Sequence, residues 1–373
     1  MRIGIDASRA FVNEPTGTER YSYELITRML GLPEAKEHEW ILYLKNAQIL
    51  NPKIQINLKS EYKNVQIVRI SFKYLWTQVG LACRTWVDKL DVLWVPAHTL
   101  PVLRKPGIKT IVTIHGIEYE WLPAYENLLQ RWYLPLSTKY AVLSANKIIA
   151  VSEFTKKQLI ERLGGDKKKI KVVYEGYTPQ SPTSNFQILN NYKIKAKQYL
   201  LFVGTIQPRK NLERLVEAFS VLSAKYSGLS LVIAGKLGWL YGGVLDAIKK
   251  YKLEDKMIIT GYVEDEVRQV LLNQALVYVQ PSITEGFGLP VLEAMAMGVP
   301  VVSSNGGALK EVVGDAGVLF DPFDVGQMAN SIESMVQSEQ TREKFINKGR
   351  LRIKDFSWEK AAKKTYDLIV GKQ

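Results

Sequence analysis

The chain contains little cysteine, little histidine and no long hydrophobic run. Cys83 is its one cysteine, so an internal disulfide is excluded and the sequence fits a reducing compartment. Because Leu81 and Ala82 precede Cys83, we expect a small buried side chain rather than a nucleophile. No stretch approaches the roughly 18 apolar residues that span a bilayer, and the N-terminal apolar stretch is far shorter than the core of a signal peptide. We therefore expect a cytoplasmic protein that is not integral to the membrane.

Acidic residues are also too few to balance the basic ones. The chain has 50 Lys and Arg against 37 Asp and Glu, which gives a formal net charge of +13, and most of the excess lies in its first half. A basic surface attracts anionic lipid, phosphorylated substrates or nucleic acid, although it can also serve solubility alone. No recognisable nucleic-acid motif accompanies the charge, so we expect no nucleic-acid partner.

Short apolar runs alternate with longer amphipathic segments along the whole chain. Many runs are continuous in Val, Ile and Leu, which is typical of strands buried on both faces of a parallel sheet. Clear helical patterns cover residues 18–30, 211–226 and 327–337. The predicted strands are residues 2–7, 40–44, 65–70, 91–95, 110–114, 147–151, 171–174, 199–203, 230–234, 257–260, 276–280 and 300–303. This alternation predicts a doubly wound α/β architecture.

The length of 373 residues suggests two domains at roughly 150 residues each. We predict an N-terminal domain over residues 1–178, a linker rich in Pro, Ser, Thr and Asn over residues 179–198, and a C-terminal domain over residues 199–355. Residues 356–373 predict a helix with Ser357 as its N-cap, and we expect this helix to pack back toward the N-terminal domain. Its apolar stripe is Trp358, Ala361, Ala362, Tyr366 and Ile369.

Small residues follow the predicted strands of the second half. The strand ends are Gly204, Gly235, Gly261, Ser282 and Ser303. In open α/β sheets ligands bind beyond the carboxyl ends of the strands, and a small residue there lets a ligand approach the backbone closely. The pattern therefore predicts a ligand site at this edge of the second sheet.

Residues 285–295 contain the most informative segment. Gly286 and Gly288 lie in a loop that feeds a helix, with Pro290 at the start of that helix. Backbone N–H groups and the helix dipole at such a place bind phosphate. Glu285 precedes the helix and Glu293 lies about one turn inside it, so both carboxylates could face one ligand. The alternative is a loop glycine pair with two surface glutamates.

This segment, Glu-Gly-Phe-Gly-Leu-Pro-Val-Leu-Glu-Ala-Met, resembles the retaining glycosyltransferases of the GT-B fold that carry a Glu-x7-Glu motif, here Glu285 and Glu293. Gly-Val-Pro-Val-Val at residues 298–302 adds to the resemblance, which covers nearly the whole chain and is densest over residues 199–322. It implies two Rossmann-like domains that face each other across a cleft. It also implies transfer of a sugar from a nucleotide-sugar donor to an acceptor.

The resemblance assigns roles to residues of the motif. Glu285 would contact the donor sugar near the reacting carbon, and Glu293 would hydrogen-bond the ribose hydroxyls of the nucleotide. Backbone N–H groups of Gly288 and Leu289 would meet the diphosphate or the sugar. We also expect Phe287, which lies between Gly286 and Gly288, to take part in substrate binding.

Two cations and a loop complete the expected donor site. Arg209 and Lys210 follow the strand that ends at Gly204, and they would neutralise the diphosphate leaving group. Cations at a helix N-terminus oppose the helix dipole, so a ligand explains them better than an exposed helix start does. By resemblance, Tyr262 and Val263 belong to the loop whose backbone groups read the nucleobase.

The first half offers two further site residues by resemblance. Gly17, in Thr16-Gly17-Thr18, would belong to a loop that closes over the donor phosphates, although an ordinary helix start is the alternative. His115 follows the strand at residues 110–114 and would stabilise or orient the donor sugar as a catalytic residue. Many relatives have an acid after this histidine where this chain has Gly116, and a structural role for His115 stays open.

The aromatic and basic segment at residues 72–86 admits two interpretations. Phe72, Tyr74, Trp76 and Trp86 lie beside Arg and Lys, which suits a helix at a membrane surface. A helix with one face in the core and a solvated basic side is the alternative. A peripheral contact with anionic lipid at the inner face of the plasma membrane therefore stays open.

No Asp-x-Asp motif is present, and residues 264–266 are interpreted as the start of a solvated helix, so we expect neither a metal nor another cofactor. The resemblance implies transfer with retention of configuration, with GDP-mannose favoured over a UDP-sugar as donor. The acceptor would be a saccharide or lipid-linked saccharide in surface polysaccharide synthesis. The alternatives are a hydrolase, a phosphorylase or a nucleotide-sugar epimerase on the same fold, and a nucleotide-sugar binding protein without catalysis.

Overall fold

The computed structural model describes residues 1–12, 15, 17–45, 62–72, 74–117, 128–177 and 186–372. The chain divides into two compact units, of which the first is Met1–Gly176 with Ser357–Gln373 and the second is Tyr177–Phe356. Each unit is built on one parallel sheet with its own hydrophobic core. The predicted α/β class with two Rossmann-like sheets is confirmed.

The described part of the first unit forms a seven-stranded sheet in the order β3-β2-β1-β4-β5-β6-β7, with every pair of neighbours parallel. The strands are β1 (Arg2–Asp6), β2 (Glu39–Lys45), β3 (Val65–Ile70), β4 (Val92–Val95), β5 (Lys109–Ile114), β6 (Lys147–Ala150) and β7 (Ile170–Val172). The central strands are buried except at the first residue of β1 and of β6, because helices cover both faces of a parallel sheet.

The second unit repeats this topology with six strands in the order β10-β9-β8-β11-β12-β13, again all parallel. The strands are β8 (Tyr199–Val203), β9 (Ser230–Ala234), β10 (Met257–Gly261), β11 (Val277–Gln280), β12 (Val301–Ser304) and β13 (Val318–Phe320). In both sheets the chain reverses its direction of winding beside the first strand, between β1 and β4 and between β8 and β11. Such switch points open a crevice at the carboxyl ends of the strands.

Helices connect the strands of both units. In the first unit these are Gly17–Leu30, Ala82–Val87, Leu128–Ser144, Glu153–Leu163 and Trp358–Val370, with a 3-10 helix at Pro33–Glu37 and a π-helix at Trp76–Leu81. In the second unit they are Ile188–Asn191, Leu212–Lys225, Gly242–Lys250, Asp265–Gln274, Leu289–Ala296, Leu309–Val313, Val325–Gln337 and Glu339–Arg352, with 3-10 helices at Pro208–Lys210 and Ile353–Asp355. None of the described helices is long and apolar enough to cross a membrane.

Every run predicted as a strand forms one, with ends that shift by one or two residues. The sequence prediction missed β13, which has only three residues and leaves Val318 and Leu319 half-buried, so its apolar signal is weak. Residues 186–198, within the predicted linker, belong to the second unit and bury Leu189 and Ile194.

One prediction about the first unit is wrong. Cys83 is exposed rather than buried. The helix Ala82–Val87 directs Ala82 and Thr85 into the unit, and Cys83, one position after Ala82, is turned toward solvent with Trp86. Neighbouring positions on a helix point in directions about 100° apart, so flanking apolar residues do not imply burial.

The helix Trp358–Val370 belongs to the first unit, although it follows the whole second unit in the chain. The Ser357 hydroxyl accepts a hydrogen bond from the Lys360 N–H at 3.3 Å, which confirms the predicted N-cap. All five residues of the predicted apolar stripe are buried. Trp358 packs edge-on against Tyr21, with ring centroids 6.0 Å apart. Gly176 lies so close that an added Cβ would collide with the backbone nitrogen of Trp358.

We predict that Trp358→Ala lowers the free energy of unfolding of the first unit by about 3–5 kcal/mol, because it removes a fully buried indole and leaves a cavity. Urea unfolding followed by tryptophan fluorescence and circular dichroism measures the loss. Lys364→Ala is the control, because this residue lies exposed on the same helix. Equal unfolding midpoints for the two variants would contradict the packing role of this helix.

Candidate active site

The strand ends of the second sheet require small residues. Gly204 and Gly235 directly follow β8 and β9, Gly261 ends β10, and all three have positive φ. A Cβ on Gly235 would collide with the carbonyl oxygen of Gly204, so any larger residue would push the two strand ends apart. Backbone segments of neighbouring strand ends therefore lie in close contact at this edge, which requires glycine.

Glu285 lies at the centre of a buried polar cluster beside the switch point between β8 and β11. Arg209 Nη1 donates to Glu285 Oε2 at 2.6 Å, and Lys210 Nζ donates to Glu285 Oε1 at 2.6 Å. The Ser282 hydroxyl donates to the same Oε1 at 2.6 Å, and Gln280 Nε2 lies 3.2 Å from it. The structure thus brings together the three charged residues that the sequence predicted separately.

These contacts set the ionisation of Glu285. Burial by itself raises the pKa of a carboxyl, but the charges of Arg209 and Lys210, with hydrogen bonds from Lys210 and Ser282, lower the pKa of Glu285 to about 2. Glu285 is therefore ionised at neutral pH and has no proton to give. With two cations and one carboxylate, the cluster carries a net positive charge that suits an anionic ligand.

The turn that carries the two cations is held from below by Asn211. This residue adopts the left-handed conformation with φ 58°, which Asn tolerates better than most residues. Its side-chain amide is buried and donates to the carbonyl oxygens of Pro281 at 3.0 Å and Pro322 at 2.7 Å. The 3-10 helix Pro208–Lys210 is thereby tied to the end of β11, which fixes the origin of the Arg209 and Lys210 side chains.

The loop that carries Glu285 is braced by residues after β12. Gly307 has φ +64°, and a Cβ on it would collide with the backbone of Glu285. The Ala308 N–H donates to the Glu285 carbonyl oxygen at 2.8 Å, and the Ser304 hydroxyl donates to the Ser282 carbonyl oxygen. Sequence analysis missed this brace, although the glycine pair Gly306-Gly307 directly after a buried strand was a usable signal.

The helix Leu289–Ala296 begins next to this cluster. Gly288 precedes it with φ +113°, and Pro290 is its second residue rather than its first. Leu289 is buried, and Phe287 is buried edge-on against Phe356 at 5.7 Å. The side chains of Phe287 and Leu289 anchor the loop in the protein. Any contact of these two residues with the substrate would therefore come from their backbone groups.

Glu293 lies one turn inside this helix and pairs with Arg268, whose Nη1 donates to Glu293 Oε2. Sequence analysis did not single out Arg268. Tyr262 and Val263 follow the end of β10, and they precede the helix Asp265–Gln274 that carries Arg268. Tyr262 is exposed, with Lys236 Nζ 4.9 Å from its ring centroid, and Val263 is half-buried.

Two buried polar atoms near the cluster lack a hydrogen-bond partner among the described residues. They are Gln207 Oε1 and Thr284 Oγ1, which neighbour Arg209 and Glu285 in the sequence. Buried polar atoms are nearly always paired with protein or with bound solvent and ligand.

His115 lies at the carboxyl end of β5 in the first unit, and each of its ring nitrogens contacts a protein oxygen. Its Nε2 lies 2.9 Å from the Pro96 carbonyl oxygen and its Nδ1 lies 3.2 Å from Glu175 Oε1. Because a carbonyl oxygen only accepts, Nε2 carries a proton, and a hydrogen bond at Nδ1 then needs a second proton on either Nδ1 or Glu175. Sequence analysis missed Glu175, a buried acid three residues after the end of β7.

His98, at the end of β4, packs against His115 with ring centroids 5.6 Å apart. Burial, then the charges of His115 and Arg9, lower the pKa of His98 to about 3, so His98 is neutral. Tyr21 packs edge-on against His115 at 4.5 Å. The ring of His115 is thus fixed by protein contacts on several sides, and its expected contact with the donor sugar stays a prediction.

Gly17 is the first residue of the helix Gly17–Leu30 and is exposed, whereas Thr16 lies outside the described residues. Near this helix start, Arg9 Nη1 pairs with Glu19 Oε1 at 3.2 Å. Across the described part of the chain, no three His, Cys, Asp or Glu side chains are grouped so as to hold a metal ion. The need for a metal stays a question for experiment.

The segment at residues 72–86 combines features of both interpretations. Its helical part begins at Trp76 rather than Phe72, and Trp76 and Leu81 are buried in the core of the first unit. Other large apolar residues of this segment and of two neighbouring segments are exposed. These residues, which we name the apolar surface, are Phe72, Tyr74, Leu75, Trp86, Val87, Val102, Leu103, Trp132, Tyr133, Leu136 and Leu143.

Two family models match the chain along most of its length. The model described as Glycosyltransferase Family 4 matches residues 16–181, and the model described as Glycosyl transferases group 1 matches residues 185–352. The boundary between the two matches falls close to the boundary between the two structural units.

Relatives and solved structures agree with these matches. The chain is 31% identical to O-antigen chain mannosyltransferase B of Escherichia coli, over 95% of this chain and 97% of that protein. It is 24% identical to O-antigen chain mannosyltransferase RfbU of Salmonella typhimurium, over 89% of this chain and 90% of that protein.

Sucrose-phosphate synthase from Thermosynechococcus elongatus superimposes with a TM-score of 0.79 at 18% identity, over 100% of this chain and 98% of that one. Anabaena HepE in complex with UDP-glucose superimposes with a TM-score of 0.73 at 16% identity, over 99% of both chains. At these identities the likeness establishes the fold, and it confirms the predicted GT-B class. Together with the match to the Escherichia coli relative along nearly the whole of both proteins, the two family models show that this chain belongs to the group 1 glycosyltransferases.

Proposed function

We propose that the chain transfers mannose from GDP-mannose to a saccharide or lipid-linked saccharide acceptor, with retention of configuration, in the synthesis of a surface polysaccharide. The observation that carries the proposal is the cluster of Arg209, Lys210 and Glu285 at the switch point of the second sheet. The choice of mannose is supported by the names of the Escherichia coli and Salmonella relatives. The polysaccharide is inferred from the same names.

The two cations match the charge of a nucleoside diphosphate. Arg209 and Lys210 are largely buried, which strengthens their interaction with an incoming anion. Glu285 holds them in place beforehand, so little reorganisation is needed when the diphosphate arrives. The UDP-glucose bound by the Anabaena neighbour is a ligand of the same chemical class.

In the proposed reaction the bond between the anomeric carbon and the β-phosphate oxygen breaks, and its electron pair stays on that oxygen. Arg209, Lys210 and backbone N–H groups at the start of the helix Leu289–Ala296 stabilise the resulting charge. The acceptor hydroxyl oxygen bonds to the anomeric carbon from the same face, and its proton passes to the departing phosphate oxygen. The ionised Glu285 stabilises positive charge that develops on the sugar.

The ionisation of Glu285 also weighs against a glycosidase. A glycosidase needs one carboxyl group that stays protonated to serve as the acid. Glu285, with a pKa of about 2, cannot serve as that acid, and the Glu293 carboxylate is paired with the Arg268 guanidinium. A phosphorylase, an epimerase and a binding protein without catalysis are the remaining alternatives, and transfer of mannose from GDP-mannose to a saccharide acceptor distinguishes the proposed enzyme from all three.

We predict that the protein binds GDP more tightly than UDP and that the affinity is the same in EDTA as in Mg²⁺. The metal is dispensable because Arg209 and Lys210 supply the positive charge that a bound cation would otherwise provide. Isothermal titration calorimetry with GDP, UDP, ATP and a short oligonucleotide measures this. Binding of the oligonucleotide alone would refute the proposed function, and binding that requires Mg²⁺ would refute its metal-free form.

We predict different kinetic consequences for the two glutamates. Glu285→Ala should lower kcat for mannosyl transfer by at least about 100-fold through lost charge stabilisation. It should largely spare GDP affinity, because Arg209 and Lys210 keep their charges and Asn211 still fixes the turn that carries them. Glu293→Ala should instead weaken GDP binding. Transfer to a mannose-terminated oligosaccharide gives kcat, and calorimetry gives affinity; normal turnover by Glu285→Ala would show that the role of Glu285 is wrong.

We further propose that the apolar surface binds the anionic inner face of the plasma membrane. Hydrogen bonds join its segments. The Gln78 amide donates to the Leu100 carbonyl oxygen at 3.1 Å and to the Tyr133 hydroxyl at 3.3 Å, and the Trp86 indole donates to the Leu103 carbonyl oxygen at 3.0 Å. Exposed contiguous apolar surfaces on soluble proteins mark interaction sites. The half-buried Lys105 and the exposed Lys139 lie in the same segments and complement anionic headgroups.

We predict that the double variant Leu75→Ser, Leu103→Ser binds anionic vesicles at least about 10-fold more weakly, because two exposed leucines no longer enter the bilayer interface. Sedimentation with phosphatidylglycerol vesicles measures binding, with phosphatidylcholine vesicles for comparison. Leu351→Ser, an equally exposed leucine of the second unit, is the control. Identical sedimentation of the double variant and the unaltered protein would exclude this surface as the membrane contact.

A further inference from the structure

Arg268 is a largely buried cation that the proposed chemistry does not use. Its side chain is 12% exposed and lies between the carboxylates of Asp265 and Glu293. The Nε and Nη2 atoms donate to Asp265 Oδ1 at 3.1 and 2.9 Å, and Nη1 donates to Glu293 Oε2. One guanidinium thus joins two helices, Asp265–Gln274 and Leu289–Ala296.

The planar fork of Arg268 leaves Glu293 little rotational freedom. Asp265 engages two of its nitrogen atoms and sets the plane of the guanidinium, so Nη1 points in a fixed direction. Oε2 of Glu293 must lie along that direction, and the position of Oε1 follows from it. Burial lowers the pKa of Arg268, but the charges of Glu293 and Asp265 more than offset this and raise it, so the cation is permanent.

The charge of this trio differs from that of the Glu285 cluster. Two carboxylates share one cation, so the group carries a net negative charge. Such a group repels a phosphate and instead accepts hydrogen bonds from hydroxyl groups. A buried ion pair of this kind contributes little net stability by itself. Its main effect is to orient the Glu293 carboxylate.

The connection of Arg268 to the rest of the donor site runs through the chain. The helix that carries Arg268 starts two residues after Val263, so the loop predicted to meet the nucleobase leads directly into it. The Arg268 N–H donates to the Glu264 carbonyl oxygen at 2.9 Å, in the first turn of that helix. The backbone thus links this loop to Arg268, whose side chain contacts Glu293.

We infer that Arg268 is a positioning residue, which holds the Glu293 carboxylate so that it accepts hydrogen bonds from the ribose hydroxyls of the donor nucleotide. The inference rests on the proposed function and on the contact between Glu293 and the ribose that the family resemblance implies. Arg268 itself touches no substrate. It makes affinity for the nucleotide depend on the ribose hydroxyls.

The test compares GDP with 2′,3′-dideoxy-GDP, which lacks both hydroxyls, by calorimetry on the full chain. UDP and its dideoxy analogue are titrated in parallel. The unaltered protein should prefer the ribose form by roughly 10- to 100-fold, the worth of one hydrogen bond to a charged group. In Arg268→Gln this preference should fall to near unity while affinity for the dideoxy form is unchanged, and Glu293→Ala should show the same pattern.

Two further variants separate positioning from folding. Arg268→Lys keeps the charge but loses the fork, and it should restore only part of the preference. Arg352→Gln is the matched control, because Arg352 is also partly buried and donates to the Val312 and Glu311 carbonyl oxygens and to Asp355. This control should keep the full preference.

The outcomes distinguish the inference from the proposed function. A full ribose preference in Arg268→Gln would overturn the inference and leave the proposed function intact. Equal loss of both nucleotides, together with a Tm below that of Arg352→Gln, would show a structural role and overturn it as well. If the unaltered protein binds none of the nucleotides, the proposed function fails, and the inference falls with it.

Discussion

The second unit depends on neutralising one buried carboxylate at the switch point of its sheet. Glu285 could not be ionised there alone, because burial opposes the charge. Arg209 and Lys210 remove that penalty, and they are placed to do so only because Asn211 accepts a left-handed backbone and ties their turn to β11. Gly307, after β12, lacks a side chain, so the backbone of Glu285 can pack directly against it. One electrostatic requirement thus explains the residue types at several separated positions.

Two ionic groups of opposite net charge lie in this unit. The Glu285 cluster has more cations than carboxylates, whereas the Arg268 group has more carboxylates than cations. A nucleotide sugar presents both kinds of chemistry, an anionic diphosphate and neutral ribose hydroxyls. The two groups therefore favour different parts of the ligand. The Glu285 cluster favours the anionic diphosphate, and the Arg268 group favours the ribose hydroxyls.

The first unit has a different balance of burial and exposure. His115 and His98 are packed into the carboxyl edge of its sheet among Tyr21 and Glu175, while many large apolar side chains remain in solvent on the apolar surface. Burying such side chains contributes about 1.5–3 kcal/mol each, so their exposure forgoes considerable stability. A second apolar phase at that surface, such as the membrane interface proposed here, would account for it.

The sequence by itself determined the two parallel sheets, nearly all of their strands, and the cap and apolar stripe of the helix Trp358–Val370. It could do so because continuous apolar runs and 3.6-residue periodicity are local patterns. It also marked Arg209, Lys210, Glu285 and Glu293, since their loops follow strand ends that topology brings to one edge.

Only the tertiary structure decided which charges pair. Arg268 meets Glu293, Glu175 meets His115, and Gly307 lies under Glu285, although each pair is separated by more than twenty residues. Cys83 and the exposed leucines show the same limit, because burial depends on which elements cover a residue and not on its neighbours in the chain. Pairing and burial are set by contacts between distant segments, and no local pattern encodes them.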